Sequence, residues 1–144
     1  MALLRRNKWR DVMRAMTMAL MVCITTAGAS AKPHLRDVPE IDGTLLHIGI
    51  ANSIRKNCPD ISARILRATR VIFGVKKQAR DLGYTEEEID AYRNSDVEKT
   101  RLKALRAKYL ADAGVEADQP QTFCDLGRAE IEKGGRIGTL LRMD

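Results

Sequence analysis

The chain of 144 residues is long enough for one domain and carries a formal net charge of +6. Most of that charge lies in the first 31 residues, which hold five basic side chains and one acidic one. Residues 32–144 hold 20 basic and 18 acidic side chains, a net charge of +2. This ordinary mixed charge argues against a general nucleic-acid binder, and we expect no nucleic-acid partner.

The N-terminus has the three zones of a secretory signal peptide. Residues 1–14 are cationic, residues 15–27 form an uncharged apolar run of 13 residues, and Ala29-Ser30-Ala31 is a small-x-small site. The run is too short to span a bilayer, which needs about 20 residues. We therefore predict a cleavable signal peptide over residues 1–31, with cleavage between Ala31 and Lys32. The alternative is an uncleaved anchor helix or a buried core helix.

Cleavage of the predicted signal peptide changes the number of cysteines in the mature chain from three to two. Cys23 leaves with the signal peptide, so that an even pair, Cys58 and Cys124, remains in an oxidising compartment. Their separation of 66 positions fits neither a redox Cys-x-x-Cys motif nor a zinc-binding spacing. We predict a disulfide between them, and the alternative is two unpaired thiols.

Residues 32–38 are predicted to form an extended lead-in because Pro33 and Pro39 disfavour a helix there. Proline suits the first position of a helix, so Pro39 marks the start of the helical domain, residues 39–144. Ile41, Leu45 and Ile48 then recur at helical spacing. The first helix is predicted to end before Cys58-Pro59.

The second predicted helix has the strongest periodicity in the chain. It is predicted to open at Pro59-Asp60 and to stop at Gly83. Its apolar or small residues alternate four and three positions apart, at Ile61, Ile65, Ala68, Ile72, Val75, Ala79 and Leu82. A stripe of this length can be the seam for a partner helix, but packing into the core of the same domain is the commoner outcome.

Helix signals continue to the C-terminus. Thr85 with Glu88 and Ser95 with Glu98 are capping boxes, and each predicts a helix start. A further helix is predicted from Pro120 to Gly134, and a short last one from Arg136. No stretch alternates with period two over a useful length. The predicted fold is all-α, with five helices and a short terminal one in an irregular or orthogonal bundle.

The sequence predicts no catalytic residue, no cofactor and no metal site. It has two histidines, His34 and His47, and lacks metal-ligand spacings, a nucleophile elbow and a phosphate-binding loop. The spacing of Gly134 and Gly138 favours close packing or a helix stop. The basic face of the second helix can meet an anionic partner, although a solvated face is commoner; its residues are Arg64, Arg67, Arg70, Lys76, Lys77 and Arg80.

Several strings resemble a family of small exported alphaproteobacterial proteins of the Rhodobacter type that is catalogued only as a domain of unknown function. These strings are VPEID (38–42), IRKNCPDISAR (54–64), LGY (82–84), CDLGRAEI (124–131), IG (137–138) and LLR (140–142). The resemblance implies export, a helical domain and a Cys58–Cys124 pair. It supplies no catalytic residues.

The leading functional hypothesis is a non-catalytic protein-interaction module, either an accessory factor or a small chaperone, that is periplasmic or secreted. It has an unidentified protein partner and meets the membrane only transiently, through the signal peptide. One alternative is a small enzyme with an unrecognised site that uses His47, Tyr84 or the acidic cluster of residues 86–90. Another is an inhibitor or immunity-type protein that binds one exported enzyme.

Overall fold

The computed structural model describes residues 32–144, so the predicted signal peptide, including Ala31, lies outside the described residues. The fold is all-α, as predicted, with five helices in this part of the chain and one very small sheet. The helices are α1 (Pro39–Asn57), α2 (Ile65–Asp81), α3 (Glu86–Asn94), α4 (Asp96–Asp112) and α5 (Pro120–Lys133). The strands are β1 (Ile61–Ala63) and β2 (Leu141–Met143).

Helix α1 is the central element of the domain. It starts at Pro39, as predicted, and ends at Asn57, before Cys58-Pro59. It packs against α2, α4 and α5, and it buries Ile41, Ile50, Ala51 and Ile54. The lead-in before it contains a 3-10 turn, Leu35–Asp37. Burial of Leu35 and Val38 attaches this lead-in to the domain.

The predicted start of the second helix is wrong. Helix α2 begins at Ile65, and the residues that the periodicity assigned to its first turn form β1. Strand β1 pairs antiparallel with β2, in the register Ile61↔Met143 and Ala63↔Leu141. Ile61 is buried, as expected of an apolar residue. It lies in a strand, however, and the partner strand is about 80 residues further along the sequence. Three residues are too few to reveal an alternation of period two.

The predicted terminal helix from Arg136 is also wrong. A single 3-10 turn, Gly138–Leu140, leads directly into β2. The apolar residues that suggested a helix, Ile137, Leu140 and Leu141, are all buried. Their spacing of three and one fits a turn followed by a strand as well as it fits one helical turn.

The two predicted capping boxes differ in the structure. At α3 the box is complete: the Thr85 hydroxyl accepts from the Glu88 amide at 3.2 Å, and the Glu88 carboxylate accepts from the Thr85 amide at 2.7 Å. At α4 the Ser95 hydroxyl accepts from the Glu98 amide at 3.3 Å. The Glu98 carboxylate does not return this bond and pairs with Arg36 and Arg101 instead.

The core consists of two clusters. The larger contains the disulfide between Cys58 and Cys124, whose Cα atoms are 5.0 Å apart, together with Ile50, Ala51, Ile54, Ile61, Phe123, Ile137, Leu140 and Leu141. The smaller contains Leu35, Val38, Ile41, Ala79 and Tyr84. Within residues 32–144, no helix has the length and apolar character that a membrane crossing requires.

Candidate functional site

An apolar groove opens inside a ring of four helices. Helix α1 packs against α2 and α4, and α3 packs against both of these, so the ring closes. All four helices contribute side chains to the groove, whose volume is about 570 Å³. This size and composition are typical of a site that binds an apolar or amphipathic ligand.

Two rows of side chains at helical spacing form most of the lining. One row belongs to α1, and the other belongs to α2. Apolar and small side chains predominate in both. They are Ile41, Leu45, Ile48, Asn52 and Arg55 on α1, and Ile65, Ala68, Ile72, Val75 and Ala79 on α2. Because alanines lie along the α2 row, an occupant can approach the backbone of that helix closely.

The α2 row is only partly covered by the rest of the domain. Ala79 is the one buried residue of this helix. Ile65 and Ile72 line the groove and remain 65% and 50% exposed. The stripe therefore packs into the domain core only in part, with Ile61 and Ala79 buried and Ile65 and Ile72 exposed. Exposed apolar side chains beside a groove indicate a surface that another molecule covers.

The rim of the groove carries more positive than negative charge. Its basic side chains are Arg55, Lys76, Arg93 and Lys99, and its acidic ones are Asp90 and Glu98. The Glu98 carboxylate is buried and is neutralised by Arg36 and Arg101. Among residues 32–144, no carboxylate lies within 4 Å of Arg55. Lys76, Arg93 and Lys99 pair with Glu86, Asp90 and Asp96, so the charge that the rim offers to an acidic occupant is mainly that of Arg55.

A polar network fixes the α3 and α4 side of the ring to α1. The Tyr92 hydroxyl donates to Asp42 Oδ1 at 2.7 Å, and Arg101 donates to both Asp42 oxygens, one at 3.1 Å. Arg101 Nε also donates to Glu98 Oε2 at 2.8 Å. Burial alone would raise the pKa of Asp42, but the hydrogen bonds from Arg101 and Tyr92 and the positive charges of Arg101 and Arg36 lower it overall.

Replacing Arg101 by glutamine is expected to destabilise the domain by about 2 kcal/mol, because Asp42 and Glu98 keep their partly buried charges without their main partner. The folded-state pKa of Asp42 is lowered, so its contribution to stability is present above its unfolded pKa of about 4 and is lost as the pH falls through the folded value. The stability difference between wild type and variant should therefore shrink below about pH 4.

Urea unfolding between pH 7 and pH 2.5 measures this difference. Arg93→Gln is the matched control, since it removes an exposed pair with Asp90 at 3.3 Å and should cost less than about 0.5 kcal/mol. An Arg101 variant as stable as the Arg93 variant at pH 7 would contradict the structural role of the network.

The residues of the alternative enzyme hypothesis lie in different places. His47 belongs to α1, and its Nδ1 atom is buried with no hydrogen-bond partner among the described residues. Burial and the charge of Arg136 lower the pKa of His47, while Glu130 opposes this effect. The Tyr84 hydroxyl donates to the backbone oxygen of Pro33, in the smaller core cluster. These side chains do not converge on one cleft.

The acidic cluster at the start of α3 is engaged in ion pairs. Glu86 pairs with Lys76 at 2.6 Å and with Arg80 at 2.9 Å, and Glu88 pairs with Lys32 at 2.9 Å. Hydrogen bonds from these basic side chains lower the pKa of both carboxyl groups. The cluster therefore connects α3 to α2 and to the lead-in.

Three possible metal ligands come together in the described part of the chain, at Cys58, Asp60 and Cys124, with their ligand atoms within 4.8 Å of one another. The disulfide occupies both sulfur atoms. Neither cysteine is then a thiolate, the form that binds a metal ion.

Comparison with known proteins identifies a family. Residues 33–142 match the model of a family described as a family of unknown function, DUF5333. The chain belongs to this family. No curated protein and no solved structure matches it significantly. DUF5333 membership confirms the predicted resemblance to an uncharacterised domain family, whereas the Rhodobacter-type origin stays a prediction.

The groove is the feature that the sequence did not reveal. The sequence contained one indication of it, the long apolar stripe of α2, whose residues recur four and three positions apart as at a contact between two helices. The domain itself buries only some of these residues. A helical period shows which residues share a face, but it does not show what lies opposite that face.

Proposed function

We propose that the mature protein is an exported, non-catalytic interaction module that binds an amphipathic helix of a partner protein in the groove. The observation that carries this proposal is the partly exposed apolar row of α2, where Ile65 and Ile72 are at least half exposed, beside a groove bounded by four helices. Binding of an amphipathic helix in an apolar groove is a common mode of peptide recognition.

The dimensions of the groove suit a helix. Its α1 row runs from Ile41 to Arg55 and its α2 row from Ile65 to Ala79. Each row covers about 14 residue steps, which correspond to about 21 Å at 1.5 Å per step. A partner helix of about 14 residues, or four turns, would match this length and present apolar residues at positions i, i+3, i+4 and i+7.

Charge favours an acidic partner over a second copy of the chain. Helix α2 carries five basic residues and one acidic residue. A symmetric dimer through α2 would place two such helices side by side, and like charges oppose that contact. A helix with glutamate or aspartate beside its apolar stripe would instead complement Arg55 at the rim.

Export is supported by two independent features. The N-terminal 31 residues have the charge, length and small-x-small site of a signal peptide. The family match starts at residue 33, two positions after Ala31. A periplasmic location would also provide the oxidising conditions in which the Cys58–Cys124 bond forms.

Two synthetic peptides test the groove. Both have 14 residues and the same leucine stripe, one with glutamate and the other with lysine at the remaining positions. The protein is recovered from the periplasm, where its intact mass should correspond to a start at Lys32. We expect the glutamate peptide to bind at least about tenfold more tightly, because Arg55 at the rim attracts glutamate and repels lysine. Isothermal titration calorimetry measures both affinities.

The matched variants are Ile72→Asp, inside the groove, and Leu105→Asp, on α4 outside its lining. Ile72→Asp should reduce binding of the glutamate peptide about tenfold or more, because it places a charge in the apolar row. Leu105→Asp should have little effect. Equal binding of both peptides, or equal loss in both variants, would refute the proposal.

A photo-crosslinking residue at position 72 distinguishes the two kinds of partner. A single adduct in living cells indicates a dedicated partner, as an inhibitor or immunity-type protein would have. Many adducts indicate a chaperone or a general accessory factor. The same residue at position 105 is the control, and adducts common to both positions do not count.

A further inference from the structure

We propose that the outward face of α2 binds the surface of an anionic phospholipid bilayer. This surface borders the groove and shares Ala63 and Ile65 with it, but its apolar side chains, Leu66 and Phe73, do not line the groove. It also extends the expected membrane contact, which the sequence assigned to the signal peptide alone. The proposal rests on two apolar side chains and on a set of unpaired arginines.

The apolar side chains are Leu66 and Phe73. They are 83% and 64% exposed, although leucine and phenylalanine are among the residues most often buried. Seven positions apart, they lie on the same side of the helix, two turns from each other. At 100° per residue, this side is about 100° from the groove-lining Ile65 and Ile72. Leu66 and Phe73 therefore project away from the groove, and neither lines it.

The arginines lie beside them, at the start of the helix. Arg64, Arg67 and Arg70 have no carboxylate within 4 Å among residues 32–144. With Arg142 of β2, they line a shallow depression that also includes Leu66. Arg142 is only partly balanced, since its Nε donates to Ser62 at 2.9 Å and lies 3.8 Å from Asp144.

The second half of the same helix provides the contrast. There Lys76 and Arg80 pair with Glu86, and Lys77 pairs with Asp81 at 2.6 Å. The basic residues of α2 are thus neutralised near its end and left without counter-charges near its start. The arginines without a carboxylate partner among residues 32–144 therefore lie near Leu66, in the half of α2 that precedes Phe73.

The shape of this surface favours a bilayer over a folded partner or a free anion. Leu66 and Phe73 lie on an exposed side of α2, and the depression beside Leu66 is open to solvent and does not enclose a peptide. Guanidinium groups bind phosphate oxygens, and neighbouring leucine and phenylalanine side chains can enter the boundary between headgroups and acyl chains. Basic residues with apolar ones on one helix face are typical of helices that lie on anionic membranes.

Vesicle co-sedimentation tests the proposal with the exported protein. The vesicles contain phosphatidylcholine alone, or phosphatidylcholine and phosphatidylglycerol in a ratio of about 7:3. We expect at least about tenfold stronger binding to the anionic vesicles, as reported by the lipid concentration at half-binding. Arg64→Gln/Arg67→Gln/Arg70→Gln should bring binding close to the level of neutral vesicles. Leu66→Ser/Phe73→Ser should weaken it about tenfold, because insertion is lost.

The matched control is Lys103→Gln/Lys108→Gln/Lys133→Gln, which removes the same total charge from α4 and α5. It should retain binding within about twofold, since these residues lie on other helices. All variants carry the same N-terminus, so differences among them report on the replaced side chains. The changed residues of α2 and its cap are exposed, and circular dichroism should show the wild-type fold.

Four outcomes would overturn the proposal. They are equal binding to both vesicle types, wild-type binding by the two α2 variants, loss of binding in the lysine control, and displacement by inorganic phosphate beyond that caused by sodium chloride of equal ionic strength. The last would assign the arginines to a free anion. The triple arginine variant should keep the wild-type affinity for the glutamate peptide, since none of its three residues lines the groove, so a failure of the groove hypothesis and a failure of this one can be told apart.

Discussion

Replacing Gly138 by alanine is expected to cost at least about 4 kcal/mol of folding free energy. A Cβ atom at position 138 would overlap the carbonyl group of Glu130 and lie 2.8 Å from the amide nitrogen of Ile131. These are backbone atoms of α5, so no side-chain rotation relieves the clash. The turn and β2 would have to move away from α5, which would open the larger core cluster.

Two other glycines serve as controls. Gly43→Ala meets no atom within 4 Å in the interior of α1, so it should stabilise the protein by about 0.5–1 kcal/mol. Gly134 has φ 65° at the end of α5, where alanine should cost about 1 kcal/mol of backbone strain. Urea unfolding at pH 7 measures all three. A Gly138 variant no less stable than the Gly134 variant would show that the turn is not packed against α5.

Replacing both Cys58 and Cys124 by alanine is expected to lower the free energy of unfolding by about 4 kcal/mol, because the unfolded chain regains the freedom of a long loop. The disulfide closes 66 positions of sequence and is almost fully buried, with the two cysteines 1% and 3% exposed. Alanine is preferred to serine because a serine hydroxyl at these buried sites would lack a hydrogen-bond partner.

Unfolding in urea with and without dithiothreitol provides the measurement. Reduced wild type and the double variant should show similar stability, and oxidised wild type should be the more stable by about the amount given above. If the reductant leaves the midpoint of the oxidised wild type unchanged while mass spectrometry shows free thiols, the bond contributes nothing. A large loss would agree with the proposed export, since the cytosol keeps thiols reduced.

Both predictions concern the C-terminal end of the chain. Gly138 lets the last turn approach α5, the disulfide joins α5 to the end of α1, and β2 pairs with the segment that follows α1. Residues far apart in sequence thus fix the end of α1 and the start of α2. The groove depends on this arrangement, because α1 and α2 supply its two long rows.

The amino-acid sequence determined most of the helices. Local chemistry was sufficient where it acts within a few residues: Pro39 and Pro120 begin helices, the Thr85 box begins α3, and Gly134 ends α5 in a left-handed conformation. The pairing of Cys58 with Cys124 followed from their even number once Cys23 is assigned to the predicted signal peptide. Each of these features depends on neighbouring residues or on a simple count.

Tertiary structure decided the remaining features, because each of them depends on a contact with residues far away in the sequence. Ile61 is buried in a strand rather than in a helix because β2 provides its partner, and the backbone of α5 imposes glycine at position 138. Periodicity identified the apolar stripe of α2 but not its exposure, since exposure depends on which elements lie opposite. The ring of α1, α2, α3 and α4 leaves the groove open, and long-range packing alone determines that.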